Sequence, residues 1–400
     1  EINAQLMVTG GVTLAGQGWT KTTLQQAGVY RVLTVKGGAR LADVTVTGGK
    51  TTSNWQHGAG VSVDGGTVSR CRIWRNRAGT GGTNIYGGGV NVKSGTIDHS
   101  IVAFNSAAYA GAGNACGGGI GCESSNGTIL IDTCLVYDNG VFGNASGLGG
   151  IYLQNVSAEC VIRNCTITRN RSSSNAGGIA FYHGSVGAKR TVLVNNILAG
   201  NFKSTSADTE GNLYSGYSNI DPTKSSNCFF GLSGEISFNA GSTTTMANSL
   251  SGDPLFVDAA NGDFRLQQDS PAIGAGAARG DAGKDLIGRG FNVSTPAMGC
   301  YEATPVAPPH DHAWGTPVYQ WSSDNTTCTG IAPCTVEDCS EALTEKGEMS
   351  YVEVLLESRN YVESLNRASF TEKLYEYDRY LLFQYQQTKE EVNEKRQVLE

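Results

Sequence analysis

No apolar run in this 400-residue chain approaches the twenty or so residues that cross a bilayer, so no membrane span is expected. Charge is scarce, at 16% of residues, and the formal balance of -7 argues against a nucleic-acid surface, which demands a basic face. Nine prolines beside 54 glycines fit neither a disordered chain nor a membrane protein. No secretory signal is visible, and Glu1 is compatible with an end left after signal removal. Cys328, Cys334 and Cys339 lack CxxC spacing, so a disulfide suits them better than zinc, and no metal centre is expected. Nor is there an Asp-Asp pair or an Asn-Thr-Asp triplet to announce a hydrolase. After Gly347 glycine disappears, and 21 of the last 60 residues are charged.

What the chain does have is a repeat. A glycine cluster and one apolar residue lead to apolar/x/x/Cys-or-polar/x/apolar/x/x/Asn. The first copy runs from Gly58 to Val61 and through Val68, Cys71, Ile73 and Asn76; four more end at Asn105, Asn139, Asn170 and Asn201. These asparagines fall 29, 34, 31 and 31 residues apart. Alternating, β-branched-rich runs punctuated by glycine are strand periodicity, and a period near thirty marks a stacked unit unable to bury its apolar side alone. The expectation is therefore mainly β: a right-handed parallel β-helix over 1–250, with rungs about 4.8 Å apart. Val, Ile and Leu form its core stripe. Cys71, Cys134 and Cys165 share an inward stripe as small hydrophobes, the last two near enough for a bridge of doubtful geometry. The asparagines are expected in the turn, taking its left-handed conformation and passing amide hydrogen bonds from coil to coil.

Aligning the copies on their asparagines stacks Asp98 over Asp132, with Arg163 above and His99 adjacent. An acid pair, a base and arginines are the parts of polysaccharide lyase or glycosidase chemistry, for which calcium is the ion such acids would take and no other cofactor is called for. The same arrangement is also an ordinary surface charge ladder. Trp55, Trp74, Tyr137 and Tyr152 are candidates to stack on sugar rings.

The opening coils, with Val8 to Leu14, Arg31 to Val35 and Leu41 to Val46, resemble with the repeats that follow the pectate-lyase-like right-handed β-helix superfamily. That superfamily includes bacterial surface proteins with polymorphic-membrane-protein-type repeats. Residues 251–302 carry Gly252-Asp253-Pro254-Leu255-Phe256, Gly262-Asp263-Phe264-Arg265-Leu266, Ser270-Pro271-Ala272-Ile273-Gly274 and Met298-Gly299-Cys300-Tyr301-Glu302. They resemble the choice-of-anchor domain that closes secreted β-helices, which implies an exported, extracellular or surface-displayed protein. A solenoid end exposes an apolar cross-section, and this segment is expected to cap it. Residues 303–309 read as a linker and 310–345 as a small Cys- and Trp-bearing surface module. Residues 346–400 read as a helical hairpin or coiled coil, where Ser369 to Glu372 form a capping box and self-association or a partner would be met.

These observations favour a bacterial structural or adhesive surface protein, with a polysaccharide or cell-surface ligand of a host or neighbouring cell. Polysaccharide lyase or glycoside hydrolase activity on an acidic glycan is the alternative.

Overall fold

The computed structural model describes residues 1–303 apart from the segments 53–55, 80–83, 110–113, 124–126, 144–148, 155–158, 174–175, 183–190, 204–208, 216–219, 222–223, 232–235 and 239–245. Beyond these it describes 315–316, 318–321, 328–333, 335 and 342–347. The chain forms two compact units, Glu1–Thr304 and Pro305–Glu400.

The repeat folds as a parallel β-solenoid of about six turns. One sheet stacks Leu33–Lys36, Val61–Ser69, Val90–Asp98, Ile120–Glu123, Ile151–Gln154 and Ile179–Tyr182. A second stacks Thr45–Thr47, Arg72–Trp74, Ile101–Ala103, Leu135–Tyr137, Thr166–Thr168 and Ile197–Ala199. A third, of two- to four-residue strands, includes Arg77–Ala78, Ser106–Tyr109 and Gly140–Gly143. Alternation along each strand sends every second residue inward, and parallel register places like over like. Val68, Ile97, Ile131, Ile162 and Leu193 thus form one fully buried stripe, and Ile73, Val102, Val136, Ile167 and Leu198 another.

Two sharp bends in each coil separate the sheets, and both work the same way. A residue in the left-handed conformation turns the chain, and the next residue points inward. At the first bend the left-handed residues are Arg70, His99, Thr133, Asn164 and Asn195, followed by Cys71, Ser100, Cys134, Cys165 and Asn196. At the second they are Arg75, Phe104, Asp138, Arg169 and Gly200, followed by Asn76, Asn105, Asn139, Asn170 and Asn201. The ladder asparagines therefore do not supply the left-handed turn expected of them. The residue before each does, because the amide must point into the coil to reach its neighbours.

Those amides form a continuous chain. The Asn105 backbone N–H and Nδ2 both donate to Asn139 Oδ1 at 3.0 Å, and Asn139 in turn donates to Asn170 Oδ1 at 3.1 and 2.9 Å. Each Nδ2 also reaches a carbonyl of the preceding coil, as Asn139 does to Val102 O at 2.8 Å. The glycine clusters make room for this: a Cβ on Gly89 would lie 2.8 Å from the Asn105 side chain, and one on Gly150 2.5 Å from that of Asn170. Glycine and asparagine recur together because they touch.

Cys71, Cys122, Cys134, Cys160, Cys165, Cys228 and Cys300 are free thiols, and these and Cys116 are buried. No bridge joins Cys134 and Cys165; the Cys134 N–H instead donates to Cys165 Sγ at 3.4 Å. Burial pushes the Cys71 thiol up to about 12 and that of Cys228 up to about 11.

Residues 251–302 run along the side of the solenoid rather than serving only as the end cap expected of them. The reason lies in the second sheet, where outward Leu135, Ile197 and Phe229 make their strands apolar on both faces. Phe264, Leu286 and Cys300 pack with Leu135, while Leu266, Ala272, Ala297 and Met298 pack with Ile197 and Phe229. The segment begins with the antiparallel hairpin Phe256–Asp258 and Asp263–Leu266.

In the second unit, Val318–Trp321, Cys328–Pro333 and Ala342–Gly347 form an antiparallel three-stranded sheet, its last strand reaching two residues into the stretch assigned to the helical tail. The tail beyond it lies outside the described residues.

Candidate functional site

The long strands of the first sheet end in the column that the asparagine alignment anticipates. Asp98 pairs in register with Ser69 on one side and Asp132 on the other, and Asp132 with Arg163. His99 follows Asp98 at the left-handed corner, which turns its ring back, and Nδ1 lies 3.1 Å from Asp98 Oδ1. The four residues expected to gather do gather.

What they face is another part of the same chain. Residues 275–284 climb the first bend against the direction of the coils. Asn227 donates to Ala275 O, Asn195 exchanges two hydrogen bonds with Ala277, and Arg279 donates to Asn164 Oδ1 at 2.7 Å. His99 Nε2 meets Lys284 O at 2.9 Å.

Between these contacts lies a four-membered charge network. Asp132 Oδ2 accepts from Arg163 Nε and Nη2 at 2.9 and 2.7 Å and lies 3.5 Å from Arg279 Nη2. Asp281 accepts from Arg163 at 3.0 Å and Arg279 at 2.9 Å. Thr133 donates to the other Asp132 oxygen at 2.9 Å. The Asp132 and Arg279 side chains are only 8% and 3% exposed, whereas Arg163 and Asp281 are 30% and 49% exposed, so a buried acid and arginine are each neutralised by a partner at the water boundary.

Titration follows from these contacts. Burial alone would raise the Asp98 carboxyl, but hydrogen bonds from His99 and Ser69 outweigh it and hold the group below the usual carboxylate range. The same hydrogen bond to Asp98 raises His99 against the opposing effect of burial. Lys284 O can only accept, so Nε2 carries a proton; when Nδ1 is protonated as well, the imidazolium faces a carboxylate. A general base needs an available lone pair and a matched pKa. Both Asp132 oxygens accept from donors, and Asp98 Oδ1 accepts from Ser69 and faces His99.

The second bend is clasped as well. Arg169 holds Asp138 at 2.9 and 2.7 Å and donates to Ala259 O and Ala260 O.

The aromatic candidates divide. Trp74 and Tyr137 occupy one outward column of the second sheet, separated by Ala103, and Phe104 leans over the gap with its centroid 4.4 Å from Trp74 and 5.5 Å from Tyr137. Tyr137 also meets Phe264 at 5.1 Å. Tyr152 is a correction: at 1% exposure it is stacked 5.4 Å from Tyr86 and closed to a ligand, because Tyr86, Cys116, Ala176 and Ala180 pack with it in one buried cluster. Trp55 lies outside the described residues.

Sequence reasoning missed Arg279, Asp281 and the Lys284 carbonyl, more than a hundred residues from their partners and outside the repeat. It also missed a second polar cluster, in which buried His57 accepts from the Tyr86 N–H at 3.0 Å, lies 3.6 Å from Glu123, and stacks on Tyr86. Asn91 donates to Glu123 at 2.8 Å. Register supplies the signal for this one, since Asn91 and Glu123 lie on neighbouring first-sheet strands.

With this geometry in view, the likenesses to known families are limited. Residues 160–282 match a domain of unknown function, DUF5123. That span holds both Arg163 and Asp281, and both Asn164 and Arg279, so the matched unit comprises the later coils together with the strand of chain that clasps them. Residues 337–395 match the coiled-coil domain of the peptidoglycan hydrolase PcsB. No curated protein and no solved structure matches the chain.

Proposed function

We propose that the protein is a secreted or surface-displayed bacterial solenoid with a structural and adhesive role, and that its acid column serves as the seat of its own lateral segment. The observation that carries this is the closed network of Asp132, Arg163, Arg279 and Asp281. Removing Asp132 and Arg279 from water is costly unless they pair, and with both Asp132 oxygens taken by donors that carboxylate is not poised to move a proton.

Export is supported by the choice-of-anchor-like motifs of 251–302 and by the resemblance of the coils to pectate-lyase-like surface β-helices. Likeness of 337–395 to a coiled-coil domain favours self-association or partner capture through the tail. PcsB is a peptidoglycan hydrolase, and a chain that shares its coiled coil would suit work at the cell wall.

The alternative, lyase or hydrolase action on an acidic glycan, draws on the Asp98 and His99 pair, with calcium as the ion it would call for. Incubating the purified chain with acidic and neutral polysaccharides, with and without calcium, separates the two. No release of unsaturated products or reducing ends is expected; turnover abolished by Asp132→Asn would make the protein an enzyme.

A further inference from the structure

The lateral segment leaves one part of the second sheet's outer face uncovered, and that part is both cationic and aromatic. A single coil carries Arg72, Trp74, Arg75 and Arg77 within six residues, and Lys50 lies in register beside Arg77. Arg75, Arg77 and Lys50 are exposed, Arg72 and Trp74 half-buried. The Arg72 guanidinium sits 3.6 Å over the Trp74 ring, Arg75 lies 5.7 Å from it, and Phe104 of the next coil, 40% exposed, extends the apolar surface. The acids of nearby corners are engaged: Asp43 by Arg70 at 2.6 and 2.8 Å, Asp138 by Arg169. Among the described residues no carboxylate forms an ion pair with Arg72, Arg75 or Arg77.

We propose that this surface binds an anionic polysaccharide, with Arg72 and Arg75 gripping its carboxylates and Trp74 with Phe104 supporting the sugar rings. Stacking fixes a guanidinium through its face and leaves the N–H edge free for bidentate capture of a carboxylate. A ring already flanked by arginines is thus prepared for a charged sugar better than for a neutral one. The chain's overall charge of -7 opposes nucleic acid, whose affinity is built from many phosphate contacts at once. The site rests on the adhesive role proposed above and identifies its ligand class, whereas turnover and export test that role separately.

Affinity electrophoresis of the full chain through gels containing polygalacturonate, dextran or poly-L-glutamate tests the assignment. Retention by polygalacturonate and not by dextran is expected, weakening as salt is raised. Arg75→Gln and Arg72→Gln should each bind roughly tenfold more weakly, the loss of one charge-assisted hydrogen-bonding group. Trp74→Phe should retain most binding and Trp74→Ala little. Arg75 is exposed, so its variant folds and separates binding from stability. Absence of retention by polygalacturonate, or retention unchanged in both arginine variants, overturns the site and leaves a scaffold without glycan turnover intact. Equal retention by poly-L-glutamate overturns the choice of glycan in favour of acidic peptides.

Discussion

The two bends of each coil lie five residues apart and solve the same problem differently. At the second bend the inward residue is asparagine in five successive coils, and each amide binds the next. At the first bend the inward position holds cysteine, serine, cysteine, cysteine and asparagine, and whichever acceptor is present takes the N–H of the coil before: Ser100 Oγ from Cys71, Cys165 Sγ from Cys134, Asn196 Oδ1 from Cys165. One bend needs identity because its members bond side chain to side chain. The other needs only an acceptor, so its inward residue varies from coil to coil.

Serine placed at each of the two bends is the hardest test of this difference. Asn139→Ser removes the acceptor of both Asn105 donors and leaves Val102 O without its partner, so about 3 kcal/mol of stability should be lost, read as a lower urea midpoint at unchanged slope. Cys134→Ser, at the other bend of the same coil, should cost less than about 1 kcal/mol, since Ser100 already fills the equivalent position of the preceding coil. Equal losses would erase the distinction.

Arg279→Ala should cost about 2 kcal/mol, because Asp132 keeps Arg163 but Asn164 and Asp281 each lose a donor. The loss should be local. Amide exchange should quicken over the lateral segment while the core strands stay protected, and quickening of both would show that the segment holds the coils together.

The smallest effect expected is one of pH. His99 is raised by Asp98, so its contribution is complete below the ordinary histidine value, about 6.5, and is lost as pH rises through the higher folded-state value. Asp98 is lowered, so its contribution is present above the ordinary carboxylate value, about 3.9, and is lost as pH falls through its folded-state value. Thermal midpoints should therefore decline on the alkaline side, and His99→Gln should flatten that decline alone. A decline that persists in this variant would place its origin elsewhere.

Much of this was legible in the repeat. Glycine clusters, alternating Val and Ile, and asparagines near a thirty-residue period dictate stacked coils because each coil buries its apolar side only against its neighbours. Register then places Asp98 against Asp132 and Asp132 against Arg163 without further information. Less legible was the outward apolar row. Adjacent apolar pairs, Ile101-Val102, Leu135-Val136 and Ile197-Leu198, break the alternation and mean that both faces of the strand are to be covered, yet nothing local says by what.

The sequence by itself determined the coil, its core and its register, since these depend on contacts between equivalent residues one repeat apart. Only the tertiary structure decided the rest: that the left-handed turn falls one residue before each asparagine, that Tyr152 is buried, and that the acid column is occupied by Arg279 and Lys284. Those outcomes depend on which segment reaches which surface across more than a hundred residues. A periodic pattern carries no record of a partner that does not repeat.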